Sequence, residues 1–175
     1  SAPNELRLSL ISKLSAPVSR MESLVQDLLL LTQLESNPVP PEMDGINMNE
    51  VIRNACNEVQ GLLAENDKIS IVNDCDKPIK GIATELNSLC TNLISNAVRY
   101  SPDGADIEIS WTSLSDSKAR LSVKDSGIGI AKEHIDRITE RFYRVDMKNS
   151  RARGGTGLGL AIVKHVLSRH NPELE

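Results

Sequence analysis

Aromatic residues are scarce in this 175-residue chain: they make up 2% of it, as Tyr100, Trp111, Phe142 and Tyr143. A hydrophobic core must therefore be built from Leu, Ile, Val and Ala. The chain also lacks a surplus of positive charge, because 20 Lys and Arg face 24 Asp and Glu, for a net charge of −4. Non-specific nucleic-acid binding depends on such a surplus, so no nucleic-acid partner is expected.

Cysteines and long apolar runs are equally sparse. Cys56, Cys75 and Cys90 are odd in number, widely spaced and free of any C-x-x-C pair, which disfavours a disulfide framework or a structural zinc site. We expect them to be small buried residues in a reducing compartment. No apolar run approaches the ~20 residues of a membrane span, and no signal peptide opens the chain. The length predicts one soluble globular domain with an appendage.

The N-terminal segment has the pattern of a long amphipathic helix. From Ile11 to Leu28 its apolar residues recur at spacings of three and four, which is typical of a coiled coil or helix bundle and calls for a partner. Pro17 lies inside this pattern and leaves two possibilities: Ser15 caps a new helix, or one longer helix is kinked. The helix should end near Ser36, because the proline-rich residues 37–41 cannot continue it.

The remainder mixes helices and strands. Asn47 and Glu50 form a capping pair that predicts the start of a helix, and a turn at residues 101–104 ends a later one. Two strands with alternating apolar residues should pair as a hairpin across Ser113 to Ser117. The predicted helices are 47–63, 85–100 and 158–169, and the predicted strands are 69–73, 79–82, 107–111 and 121–123. This order indicates an α/β or α+β fold with helices on one face of a sheet.

Polar side chains that suit a nucleotide recur along one predicted helix. Asn92, Asn96, Arg99 and Tyr100 are three or four residues apart and so share a helix face. An amide oxygen suits Mg²⁺, a guanidinium suits phosphate, and an aromatic ring can lie against a base. Taken alone, the pattern also fits an ordinary solvated face.

Two glycine-rich segments follow. In Asp125-Ser126-Gly127-Ile128-Gly129-Ile130 the glycines permit close approach of a flat ligand, and the carboxylate could accept a bond from an exocyclic amine; a simple tight turn would also explain the segment. The segment from Gly154 to Leu160 opens a helix, where backbone N–H groups and the helix dipole attract phosphate. It matches neither the Walker loop nor the dinucleotide-binding fingerprint.

Together and in this order, these segments resemble the N, G1, F and G2 boxes of the catalytic ATP-binding domain of sensor histidine kinases. The matching segments are Asn92 to Tyr100, Asp125 to Gly129, Glu140 to Arg144 and Gly155 to Leu160. The resemblance runs from about Met21 to His170, and residues 21–35 are similar to the second helix of the family's dimerisation and phosphoacceptor hairpin. Residues 139–146 and 154–165 are similar to the phosphate-regulon sensor kinase subgroup.

The resemblance implies the two-layer α/β sandwich of the gyrase and Hsp90 superfamily, a mixed sheet covered by helices (the Bergerat-type ATP-binding fold). It implies that Asn96 coordinates Mg²⁺, that Asp125 binds the adenine amine, and that Arg99 and Tyr100 contact phosphate and base. Residues 144–156 would form a lid, in which Arg144, Lys148, Arg151 and Arg153 neutralise phosphate or simply form a solvated basic loop. The remaining ATP-binding residues implied are Gly127, Gly129, Ile130, Phe142, Gly155, Thr156, Gly157, Leu158 and Gly159.

The resemblance also implies an organisation. Residues 1–37 would be part of the dimerisation and phosphoacceptor hairpin, 38–46 a linker, and 47–175 the ATP-binding domain without its last strands. A homodimer formed through the N-terminal helix, a response regulator as partner, and a cytoplasmic position within an inner-membrane sensor are the further implications.

Hydrolysing members of the superfamily carry a glutamate general base four residues before the Mg²⁺-binding asparagine, where this chain has Asn92. An amide cannot take a proton at neutral pH, so Asn92 and Asn96 indicate a catalytic site for phosphate transfer instead of hydrolysis.

The acceptor histidine is not evident. His134, His165 and His170 lie inside or beyond the boxes, and His134 and His165 fit surface or helix positions; Asn4-Glu5-Leu6-Arg7 resembles the acceptor motif with Asn in place of His. Two alternatives follow. Either this chain is a fragment and the acceptor histidine lies outside it, or the chain is a shortened, degenerate kinase. The sequence is also compatible with an ATPase or serine-kinase relative, and with a non-catalytic nucleotide-binding or dimerisation module.

Overall fold

The computed structural model describes residues 2–37, 42–101, 104–145 and 154–170, with side chains described from Ser15 onward except Ala16. Its helices are α1 Ala2–Ser36, α2 Met48–Val59, α3 Ala83–Tyr100, α4 Lys132–Ile135 and α5 Gly159–His170, with a 3-10 turn at Gln60–Leu62. Its strands are β1 Asp44–Ile46, β2 Lys68–Asn73, β3 Ile79–Gly81, β4 Asp106–Ser113 and β5 Ala119–Asp125.

The N-terminal helix α1 continues through Pro17 to Ser36. Of the two arrangements expected around Pro17, the structure therefore has the longer helix, and the predicted end at Ser36 is confirmed. Leu31 and Leu34 are buried, whereas Met21, Val25 and the other apolar residues of the middle of α1 are exposed. Among the side chains of α1 that the structure describes, those of the last turns are thus the ones buried against the rest of the protein.

Strands β2, β4 and β5 form a mixed sheet in the order β2-β4-β5. β2 runs parallel to β4, in a register that sets Ile69 beside Ile107, and β5 returns antiparallel to β4 as the predicted hairpin. β1 pairs antiparallel with β3 in a separate two-stranded sheet. Since β1 lies within residues 38–46, part of the segment expected to be a linker is a strand.

The core lies between the three-stranded sheet and a layer of helices. Ile107, Ile109 and Trp111 alternate inward from β4, as their spacing predicts. Buried side chains of α2, α3 and α5 cover them, among them Ile52, Ile94 and Ile162. The expected two-layer α/β sandwich is confirmed, with α3 carried at the centre of the helical layer.

Capping and docking contacts fix the ends of two helices. The Asn47 side chain accepts a hydrogen bond from the Asn49 N–H at 3.0 Å, which confirms Asn47 as the N-cap of α2. At the end of α1, Glu35 forms an ion pair with Arg141 and lies 3.3 Å from His165 Nε2. Within the described residues, no helix is both long and apolar enough to cross a membrane.

Candidate functional site

A cleft of about 720 Å³ opens beside α3 and brings most of the predicted site residues together. Its volume is in the range of small-molecule sites, roughly 300–1,000 Å³. The predicted residues that line it are Asn92, Asn96, Arg99, Tyr100, Asp125, Gly129, Ile130, Arg144, Gly155, Thr156, Gly157 and Gly159. Segments separated by more than 60 residues in sequence therefore share one cavity.

Three predicted site residues do not line the cleft. Leu158 is fully buried in the core, and Gly127 is packed so closely that an added Cβ would lie 2.5 Å from the Tyr100 carbonyl oxygen. Phe142 is 56% exposed and has a left-handed φ of 60°, while its N–H donates to the Gly157 carbonyl at 2.8 Å. In this geometry these residues support the walls of the cleft and do not form its lining.

The two asparagines of α3 differ in their surroundings. The Asn92 amide donates to the Ser88 carbonyl at 2.9 Å, and a Cβ added at Gly159 would lie 2.5 Å from Asn92 Oδ1. Asn92 is thus held where α3 meets the start of α5. The Asn96 carboxamide lines the cleft and makes no hydrogen bond to any residue that the structure describes. Asn96 therefore has an uncommitted oxygen, as a Mg²⁺ ligand requires.

The loop after β5 is tied to the end of α3. Asp125 Oδ1 accepts from the Gly127 N–H at 2.8 Å, and the Ile128 N–H donates to the Tyr100 carbonyl at 3.2 Å. Gly129 follows with a left-handed φ of 72°, which glycine adopts without steric cost. One Asp125 oxygen is thereby anchored, and the carboxylate is held at the edge of the cleft.

The glycine-rich loop forms another part of the cleft lining. Gly154 and Gly157 have left-handed φ angles of 79° and 78°. Arg144 Nη1 donates to the Gly155 carbonyl at 2.7 Å, and the Leu158 N–H donates to Thr156 Oγ1 at 3.2 Å, just before α5 begins. The loop thus sets the N-terminus of a 12-residue helix at the cleft, where its dipole favours an anion. The expected lid residues Lys148, Arg151 and Arg153 lie outside the described residues.

Asp27 of α1 also lines the cleft, and the sequence patterns did not predict it. Thr156 Oγ1 donates to Asp27 Oδ2 at 2.7 Å. Burial raises the pKa of the Asp27 carboxyl, although the bond from Thr156 and the charge of Arg99 act in the opposite direction. Burial lowers the pKa of the Arg99 guanidinium, while Tyr100 and Asp27 raise it and Arg144 lowers it. Asp27 and Thr156 are 129 residues apart, so no local signal connects them.

Tyr143 is a second lining residue that was not predicted as part of the site, although it lies in the predicted F box. A hydrogen bond of 2.6 Å joins its hydroxyl to His134 Nδ1. The Arg137 guanidinium carbon lies 4.3 Å from the centre of its ring, within the range of cation–π attraction. His134, expected to be a surface or helix residue, thus helps to orient a wall of the cleft.

The comparison with a known family agrees with this geometry. A sequence profile of histidine kinase-, DNA gyrase B-, and HSP90-like ATPases matches residues 81–175, the segment that holds α3 and both glycine-rich loops. The chain belongs to this ATPase family. Membership implies nucleotide use, and the domain is of the kind found in two-component sensor histidine kinases.

Relatives of this family match nearly the whole chain. It is 42% identical over 169 residues to the phosphate regulon sensor protein PhoR of Pseudomonas aeruginosa. This alignment covers 96% of this chain and 38% of that protein. It is 38% identical over 161 residues to the sensor-like histidine kinase SenX3 of Mycolicibacterium smegmatis, covering 91% of this chain and 41% of that protein. The chain thus spans about two fifths of the length of these relatives.

Solved structures show the same architecture. The mycobacterial sensor histidine kinase MprB aligns with a TM-score of 0.64 at 27% identity, over 74% of this chain and 80% of that one. Full-length ShkA in complex with AMPPNP aligns with a TM-score of 0.75 at 23% identity, over 92% of this chain and 33% of that one, which shows the fold. The predicted resemblance to sensor histidine kinases, including the phosphate-regulon sensors, is confirmed.

Proposed function

We propose that this chain is the ATP-binding catalytic portion of a two-component sensor histidine kinase. It transfers the γ-phosphate of ATP to a histidine outside this chain, from which the phosphate passes to a response regulator. The observation that carries the proposal is the single cleft that unites Asn96, Asp125 and the glycine-rich loop. Each of these groups matches a different part of a Mg·ATP molecule, and family membership supports the combination.

Adenine binds at the Asp125 end of the cleft in this proposal. The Gly127 N–H anchors Asp125 Oδ1 at 2.8 Å, so the second carboxylate oxygen accepts a hydrogen bond from the exocyclic amine. Gly129 and Ile130 offer backbone and apolar contacts to the base, and Tyr100 lines the same cleft. A carboxylate accepts but does not donate, so the site favours adenine, which has an amino donor, over guanine, which has a carbonyl at the equivalent ring position.

The phosphates bind at the glycine-rich loop. The backbone from Gly155 to Gly159 and the positive end of α5 attract their charge, and Arg99 and Arg144 add side-chain cations. Asn96 fits a Mg²⁺ ligand because its amide oxygen is uncommitted. Mg²⁺ usually takes one or two protein ligands together with phosphate oxygens, and it would neutralise part of the phosphate charge when bound.

Transfer is favoured over hydrolysis because Asn92 occupies the position from which a base would act. Its amide is bonded to the Ser88 carbonyl and accepts no proton at neutral pH. In the transfer step an imidazole nitrogen forms a bond to the γ-phosphorus while the bond from that phosphorus to the β–γ bridging oxygen breaks. ADP leaves with the electron pair, and the imidazole releases its N–H proton to solvent.

The domain assignment follows from the same proposal. Residues 1–37 are part of the dimerisation and phosphoacceptor hairpin, residues 38–46 connect it, and residues 47–175 form the ATP-binding domain. Met21, Val25 and Leu28 leave an apolar surface on α1 exposed, which favours a homodimer through this helix. We further propose that the chain occupies a cytoplasmic position within an inner-membrane sensor protein, as the resemblance to sensor histidine kinases implies.

Two experiments test the proposal. In thermal unfolding, Mg·ATP at about 100 times its Kd should stabilise the chain by about 2.7 kcal/mol, and Asn96→Ala should reduce the Mg²⁺-dependent part of that effect. Equal stabilisation of both proteins would refute the role of Asn96. In the second experiment, radiolabelled ATP is mixed with the chain and a separately supplied histidine-containing hairpin of the family. Label on the hairpin supports the kinase, and binding without transfer favours a non-catalytic module.

The Asn92→Ala variant distinguishes a kinase from an ATPase. Steady release of inorganic phosphate by the unsubstituted chain, abolished by this substitution, would favour an ATPase. The proposal predicts phosphate release near background for both proteins.

A further inference from the structure

Helix α1 carries a carboxylate into the half of the cleft that contains the glycine-rich loop. Asp27 lines the cavity together with Ser23, Gln26 and Leu30 of the same helix. Its Oδ2 accepts the hydrogen bond from Thr156 Oγ1 at 2.7 Å. The Thr156 hydroxyl also accepts from the Leu158 N–H, so both of its hydrogen-bonding roles in the loop are in use.

Asp27 shares the cleft with two arginines, Arg99 and Arg144, whose positive charge would attract a polyphosphate. The positive charge of Arg99 acts to lower the pKa of the Asp27 carboxyl. Asp27 therefore balances part of the positive charge at this end of the cleft. Because the carboxylate is partly buried, water screens its field less than it would at a fully exposed site.

The carboxylate is held in place by the docking of α1. Leu31 and Leu34 are buried one and two turns further along the helix, and Glu35 pairs with Arg141. Asp27 thus lies on a helix that is anchored to the rest of the protein, and it cannot leave the cleft without movement of α1 or of its own side chain.

We propose that Asp27 determines the charge selectivity of the cleft. Its negative charge weakens the binding of nucleotides, and the effect grows with the number of phosphates that the nucleotide carries. Asp27 does so by occupying the hydrogen-bonding position at Thr156 and by adding a negative charge to the cleft that Arg99 also lines. The inference rests on the proposed function, since it assumes that nucleotide phosphates bind at the glycine-rich loop. Linkage makes the effect reciprocal: a bound polyphosphate weakens the docking of α1 at Asp27.

The test compares the binding of adenosine, ADP and ATP, with Mg²⁺ present, by isothermal titration calorimetry. Asp27→Asn keeps the size of the side chain and an acceptor oxygen but removes the charge. Glu22→Gln is the matched control, because it removes one negative charge from an exposed position of the same helix outside the cleft. All measurements use one ionic strength, since salt screens charge effects.

Asp27→Asn should tighten ATP binding about fivefold or more, the lower end of typical couplings between sites. ADP should gain less than ATP, adenosine should change by less than about twofold, and Glu22→Gln should match the unsubstituted chain. Unchanged or weaker ATP binding by Asp27→Asn would overturn the inference, and so would an equal gain for adenosine. If the unsubstituted chain binds neither ATP nor adenosine, the proposed function fails as well.

Hydrogen exchange on the unsubstituted chain provides a measurement that needs no variant. Reciprocity predicts that ATP raises the exchange rate of backbone amides at residues 24–30, whereas adenosine leaves it unchanged. Slower or unaltered exchange at these amides with ATP bound would contradict the inference while leaving ATP binding itself established.

Discussion

Glu85 at the start of α3 and Arg169 near the end of α5 form a buried, bidentate ion pair. Arg169 Nε donates to Glu85 Oε2 at 3.1 Å and Nη2 donates to Oε1 at 3.0 Å. The side chains are only 11% and 6% exposed. Beside them, His170 Nε2 accepts the Ile82 N–H at 3.1 Å. These contacts fix α3, which carries Asn96, relative to α5, which extends from the glycine-rich loop.

Replacement of Glu85 by Ala should destabilise the fold by about 3–5 kcal/mol, because it leaves the Arg169 charge buried without its partner. Urea unfolding followed by circular dichroism measures the change. Asp116→Asn is the control, since it removes one member of the exposed pair with Lys77 and should leave the unfolding midpoint unchanged. Equal midpoints for Glu85→Ala and the control would show that the buried pair does not stabilise the fold.

Gly127→Ala should destabilise the protein by about 1–3 kcal/mol through overpacking. A Cβ at this position would lie 2.5 Å from both the Tyr100 carbonyl oxygen and Asp125 Oδ1. The Tyr100 carbonyl is backbone and already accepts the Ile128 N–H, so it has little room to move. Thermal unfolding tests the effect.

The matched control for that substitution is Gly61→Ala, because an added Cβ there would meet nothing within 4 Å. Its unfolding temperature should equal or exceed that of the unsubstituted chain. If Gly127→Ala is tolerated as well as Gly61→Ala, the result would contradict the close packing of Gly127 against the Tyr100 carbonyl at the end of α3.

Leu31→Ala should cost about 2–5 kcal/mol, because it removes a fully buried side chain from the contact between α1 and the core. Leu114→Ala makes the same chemical change in the turn between β4 and β5, where the side chain is exposed, and should cost much less. Chemical unfolding of both variants gives the comparison. A small effect of Leu31→Ala would mean that the docking of α1 contributes little to the stability of the protein.

Stability should depend on pH through His165. Burial lowers the pKa of its imidazole, and the charges of Arg141 and Lys164 act in the same direction. The Glu35 carboxylate, 3.3 Å from His165 Nε2, acts in the opposite direction but also pairs with Arg141, and the net direction is downward. With the folded pKa below the unfolded value of about 6.5, protonation favours the unfolded state. The stability from His165 is therefore present above about pH 6.5 and is lost as the pH falls through the folded pKa.

The measurement compares the unsubstituted chain with His165→Gln by urea unfolding at about pH 8 and about pH 5.5, on either side of the ordinary histidine range. The unsubstituted chain should lose more stability than the variant between these two values. Parallel changes in both proteins would contradict the assignment to His165, and a greater loss in the variant would reverse the sign of its pKa change.

Most secondary-structure elements could be predicted from the sequence because their signals are local. The alternation of Ile107, Ile109 and Trp111 predicts the buried face of β4, and Asn47 predicts the start of α2 through a bond to a residue two positions away. Strand β1 was missed because three residues carry too little pattern to identify a strand, and pairing with β3 is what stabilises it.

The candidate site was predictable where its residues lie in continuous motifs. Asn96, Asp125 and Thr156 were identified in this way, and the structure places all three in one cleft. Gly127, Phe142 and Leu158 belong to the same motifs, yet they support the cleft instead of lining it. A motif thus identifies the segment that forms the site. The backbone conformation of that segment then decides which of its residues face the cavity.

The sequence by itself determined the helices and strands, the ATPase family and the residue types that suit Mg·ATP, because these depend on local spacing and on motifs read in order. Only the tertiary structure decided that Asp27 bonds to Thr156, that Glu85 pairs with Arg169, and that Asn96 is left uncommitted. The physical reason is distance along the chain: Asp27 and Thr156 are 129 residues apart. Their contact depends on how α1 packs against the rest of the protein, which no local pattern encodes.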